Sequence, residues 1–170
     1  MSRNKKLEAH IDAIEEAYEF MLGYAAQGLD SDHGSKTGGE LRGYLEKANA
    51  AMEGLVLDLR GLVKTGGLEP RARYKAFIDV IDDDAKISRA AVSLVLTQPS
   101  ISSQLIDNLN ASIHLRALLT DLFLIDEILE MTPTMPPKRK LKTRICAWLF
   151  SVTASITKWV RTEKKPATKS

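Results

Sequence analysis

The chain has one cysteine in 170 residues, Cys146, so it forms no internal disulfide and no metal site of several thiolates. None of His10, His33 and His114 has a Glu three residues before it. That removes the Glu-x-x-His element which a dinuclear iron centre in a helical bundle requires. No glycine-rich phosphate loop, Gly-x-Ser-x-Gly elbow or Ser/His/Asp arrangement is present. Alternating strand-type patterns are absent, and so are tandem repeats of the solenoid kind. The N-terminal stretch MSRNKKLEAHIDAIEE contains no apolar core of the secretory type, so a cytoplasmic location is expected.

What is present is an ordinary globular balance, with 44% apolar and 27% charged residues. The length suits one domain with a real core and an extension. The net charge of +2 hides an asymmetry. Residues 1–132 carry 14 basic and 21 acidic side chains, a balance of −7, whereas residues 133–170 carry 10 basic and 1 acidic, a balance of +9. An acidic body with a basic tail points the tail at an anionic partner, or at the body itself.

The longest stretch without Gly or Pro that keeps helical spacing is Ser100–Glu130, and it predicts one long core helix. Asn108, Ser112 and His114 fall in its first half and read as hydrogen-bonded core or boundary groups. Leu7, Ile11, Ile14, Tyr18 and Met21 predict a first helix over 3–27. The segment 28–39, GLDSDHGSKTGG, reads as a mobile surface loop in preference to a functional one. Thr37 with Glu40 fits a capping box that opens a second helix running to Lys64. Gly54 and Gly61 share a face of that helix and offer a close helix contact, including one to a second copy in a homodimer. Gly66 and Gly67 end it, Pro70 opens the third helix, and a broad apolar face from Tyr74 to Val95 carries that helix to Leu96. The expected fold is all-α: an up-down-up-down four-helix bundle over 1–131, a Pro-rich hinge over 132–137 and a C-terminal amphipathic helix over 138–165, with 166–170 frayed.

On a helical wheel, Leu141, Ile145, Trp148, Leu149, Val152, Ile156, Trp159 and Val160 fall within an arc of about 120°. Lys138, Arg139, Lys140, Lys142 and Arg144 flank them. Thirteen uncharged residues separate Arg144 from Lys158, fewer than the roughly 20 needed to span a bilayer. Three destinations suit such a helix: an anionic membrane interface, a partner's apolar groove, or the bundle itself. Nucleic acid fits less well, because both tryptophans align with aliphatics instead of interleaving with the charge. Cys146 reads as a small apolar residue at the helix margin.

The remaining candidates for chemistry are the carboxylates Glu15, Glu16 and Glu19 and the run Asp79, Asp82, Asp83 and Asp84. Glu16 with Glu19, and Asp79 with Asp82, are three apart and share a face, as ligands for Mg²⁺ would. The pattern resembles, distantly, the all-α nucleoside triphosphate pyrophosphohydrolases, which would imply a Mg²⁺-dependent hydrolase. It departs from them in lacking Glu-x-x-Asp on the third helix. The plainer reading is a solvated acidic face with an Asp82–Lys86 pair, from which Asp84 turns inward to meet an Arg or Tyr. No catalytic residue, cofactor or metal ligand is assigned. The expected function is non-catalytic: an adaptor or regulatory module whose tail docks on a membrane surface or a protein assembly.

Overall fold

The computed structural model describes residues 3–131. The hinge expected over 132–137, the tail helix expected over 138–165 with its docking residues and basic flank, Cys146 and the chain end 166–170 lie outside the described residues. Among the described residues there are five α-helices and no strand: α1 (Arg3–Ala25), α2 (Lys36–Thr65), α3 (Arg71–Leu96), α4 (Ser103–Asn110) and α5 (Ile113–Glu130). This all-helical body is compatible with a helical bundle.

α2 is the central element, packed against α1 on one side and α3 on the other. Its buried stripe of Leu41, Leu45, Ala48, Met52, Leu55, Leu59 and Leu62 advances by steps of four and three, which keeps it on one side of a helix with 3.6 residues per turn. α1 answers with Leu7, Ile11, Ile14, Tyr18 and Met21, all buried. The Phe20 and Tyr44 rings stack where the two helices meet, with centroids 4.2 Å apart. α5 covers α3, and the short α4 lies on α1.

The continuous helix expected over Ser100–Glu130 is two helices. α4 closes at Asn110, and Ser112, with φ −56° and ψ 122°, is the extended residue that turns the chain before α5. No Gly or Pro is needed for the break. Asn108, Asn110 and Ser112 are weak helix formers whose side chains compete for backbone groups, and tertiary packing exploits that weakness. Because α4 and α5 diverge, α1 and α3 are covered by different helices.

The N-terminus of α2 also differs from the expected capping box. Ser35 is the N-cap, its hydroxyl accepting the Gly38 N–H at 2.9 Å. The Thr37 hydroxyl instead donates to Gln27 at 2.8 Å. Gly28 and Gly67 follow α1 and α2 with φ of 66°, a left-handed conformation that favours glycine at helix exits.

Candidate docking surface

α3 presents three different faces. Ile78, Ile81, Ala85, Val92 and Val95 are buried and form its core side. Toward α2 it carries charge. Arg60 reaches from α2 to Asp79 at 3.1 Å and Asp82 at 2.9 Å, while Lys75 and Lys86 on α3 itself close on the same carboxylates at 2.7 and 3.0 Å. The hydrogen bond from Lys75, then that from Arg60, holds the Asp79 carboxyl below the usual carboxylate range. The Asp82 carboxylate raises the Lys86 ammonium in turn.

The third face points away from the core and is apolar. Ala76, Val80, Asp83, Ile87, Ala90 and Leu94 are all exposed and advance by four, three, four, three and four. At 100° per residue they fall within an arc of about 80°, opposite the buried stripe. Val80 is 49%, Ile87 45% and Leu94 65% exposed. Asp83 is the one charged member, its side chain 77% exposed and 3.7 Å from Lys86. A solitary exposed apolar residue is unremarkable, but a regular row of them is the pattern of a helix seam.

Sequence reasoning placed Val80, Ile87 and Leu94 on the inward side of this helix, whereas they are exposed. The available signal was the presence of two stripes on one helix: Val80, Ile87 and Leu94 repeat every seven residues beside a separate core stripe.

The carboxylate pairs do not meet as a site. Asp79 and Asp82 are engaged by the three cations above, and Glu16 and Glu19 lie on the exposed side of α1. Among the described residues no group of three or more His, Cys, Asp or Glu side chains is arranged to hold a metal ion. Asp84 does turn inward, but its partner is neither Arg nor Tyr. It pairs with His114 Nδ1 of α5 at 2.8 Å. One turn pair along α5, burial and the Asp84 charge push the Asp121 carboxyl up. Asn108 is exposed, whereas Asn110 is buried with neither amide atom hydrogen-bonded.

Gly54 lies beneath the imidazole of His10, so a close approach at this glycine is made by α1 of the same chain. His10 Nδ1 stands 3.4 Å from Asp58 beside it. Gly61 accepts the Thr65 hydroxyl at 3.0 Å.

The loop between α1 and α2, expected to be mobile, is pinned. The Asp32 carboxylate, its side chain 3% exposed, accepts the Ile101 N–H at 2.8 Å and Arg42 Nε at 2.7 Å. Arg42 then donates to the Leu96 and Gln98 carbonyls at 3.0 and 2.9 Å, satisfying the open C-terminal end of α3. Ser103 donates its hydroxyl to the Tyr24 carbonyl at 2.6 Å and accepts the Leu29 N–H at 2.9 Å. The Tyr24 hydroxyl donates to Ile101 O at 2.7 Å. Burial alone raises the Asp32 carboxyl, but the Ile101 N–H and Arg42 outweigh it and hold it below 3.8. This clasp ties the α1 end to the start of α4. No described helix is long and apolar enough to cross a membrane.

The class defined by these features is an all-helical body with an apolar row on its outer side. Comparison with known proteins finds no matching family model, curated protein or solved structure. The functional reading therefore rests on the residues themselves.

Proposed function

We propose that the chain is a non-catalytic helical adaptor that binds a protein partner along the outer face of α3. The observation that carries the reading is the exposed row Val80, Ile87 and Leu94, set at helix-pairing intervals on the side opposite the core. Burying such branched side chains against a second helix is favourable by about 25 cal/mol per Å² of apolar surface. Asp79 and Asp82 are already paired with Arg60, Lys75 and Lys86, so the metal-dependent hydrolase draws no support from the geometry. In this reading the body is an up-down bundle whose fourth column is divided between α4 and α5. The basic segment 138–165 is its tether, an amphipathic helix after the Pro-rich hinge that brings the adaptor to a membrane surface or a larger assembly.

Photo-crosslinking in cells tests the surface. A benzophenone amino acid at Ile87 is expected to form protein adducts that the same group at Glu46, exposed on α2, does not. Equal yields at the two positions would remove the reading. The tether is tested by co-sedimenting the full chain and a 1–132 truncation with anionic and neutral liposomes. Selective binding by the full chain to anionic vesicles, weakened by salt, is the outcome expected of an interfacial tail. Both proteins remaining in the supernatant would leave the tail without a membrane role.

A further inference from the structure

We infer that the occupant of the α3 face is the same face of a second copy, with the two α3 helices antiparallel about a twofold axis at the level of Ala85. This deepens the reading of that face as an interaction surface and rests on it.

The row is self-complementary in this arrangement. Residues equally distant from position 85 face each other, so Val80 lies opposite Ala90 of the second copy, Leu94 opposite Ala76, and Ile87 opposite Asp83. Two of the three kinds of layer therefore set a branched side chain against an alanine, the large-against-small fit that lets helices interdigitate. A twofold contact must match a patch with itself, and this register engages all six positions. Sliding one helix by a heptad leaves part of the row uncovered.

Charge chooses the direction. A parallel pair in register would stack Asp83 on Asp83, placing like charges in the seam. The antiparallel pair instead brings Asp83 beside Lys86 of the second copy, once on each side of the axis. Lys86 is bonded to its own Asp82 at 3.0 Å and stands 3.7 Å from its own Asp83, but its side chain is 63% exposed and its ammonium keeps further N–H donors for the Asp83 carboxylate across the axis. The row from Ala76 to Leu94 is about 27 Å long at 1.5 Å per residue. A single helix pair of that length belongs to the small end of specific interfaces. The dimer is accordingly a weak one, of micromolar strength, that responds to protein concentration.

The test uses the full chain with Cys146→Ser, so that introduced thiols are the only ones. Sedimentation velocity up to roughly 100 µM is expected to show a monomer–dimer equilibrium. Ile87→Glu should weaken it by at least about tenfold, and Asp83→Leu should tighten it by about tenfold. Neither position is in the core, and circular dichroism checks that both variants keep their helix content. Orientation is read with a short bismaleimide. A mixture of the Val80→Cys and Ala90→Cys proteins is expected to crosslink as a dimer, while each protein alone is not. A chain that stays monomeric throughout, a dimer indifferent to Ile87→Glu, or Val80→Cys crosslinking to itself as readily as to Ala90→Cys would overturn the inference. Adducts at Ile87 to a different protein, with the purified chain monomeric, would overturn self-pairing while leaving the adaptor reading standing. Loss of both signals would remove both.

Discussion

Around Asp32, a segment rich in glycine, serine and aspartate has the composition of a loose loop, yet its buried carboxylate is bonded on both oxygens and its neighbours tie two distant turns together. Along the outside of α3, a helix with the composition of a core element leaves branched side chains in water. Composition misleads at both places, and for related reasons. A polar loop becomes rigid when other segments supply its hydrogen-bond partners, and an apolar stripe stays exposed when none of the described helices is positioned to cover it. The first region belongs to the stability of the fold; the second leaves Val80, Ile87 and Leu94 half or more exposed among the described residues.

The contrast is sharpest under substitution. Asp32→Asn should cost roughly 2–3 kcal/mol, since it removes the charge from the hydrogen bonds that a buried carboxylate makes to the Ile101 N–H and to Arg42, whose own side chain stays 31% exposed. Denaturant unfolding at neutral pH measures it. The same residue sets an acid limb. A carboxyl held low in the folded state contributes stability above its ordinary value of 3.8 and loses it as pH falls through the lowered one. Wild-type stability should fall in that window and the Asn variant's much less, and parallel curves would show that Asp32 is not the group responsible.

Glycine substitutions separate rigid from yielding contacts. At Gly38 a Cβ would strike the Asp32 backbone, which cannot move without opening the clasp, so Gly38→Ala should cost about 2 kcal/mol. At Gly54 the nearest atoms it would meet belong to the His10 ring, a side chain that can swing away. The gain in helix propensity, about 1 kcal/mol, should then leave Gly54→Ala within roughly 0.5 kcal/mol of wild type. Thermal melts of the pair decide this, and equal losses would contradict it. Asn110→Leu, which removes a buried amide without hydrogen-bond partners, should stabilise by about 1 kcal/mol. The smallest effect is expected on α3. Ile87→Glu should change monomer stability by less than about 0.5 kcal/mol, and a larger loss would mean that Ile87 belongs to the core after all.

The helical class and the first three helices were legible, because Leu7 through Met21 and Leu41 through Leu62 repeat at intervals that only a helix can bury. The break at Ser112 was not. Asn and Ser are merely weak helix formers, and whether they interrupt a helix depends on what the next turn can pack against. The partner of Asp84 was equally out of reach, since His114 is 30 residues away and meets it only because α5 starts where it does. For the α3 face the information lay in the spacing, but a wheel cannot say which of two apolar stripes a neighbouring helix will choose.

The clasp has a consequence for the order in which the molecule is made. Asp32 leaves the ribosome long before Ile101, whose N–H it needs 69 residues later. At synthesis rates of roughly 5–20 residues per second, the anchoring carboxylate waits several seconds for its backbone partner. During that interval α1 and α2 can pair through contacts close in sequence, while the connection between them stays open. Arrival of Ile101 and Ser103 closes it, so the earliest loop in the chain is among the last parts to set.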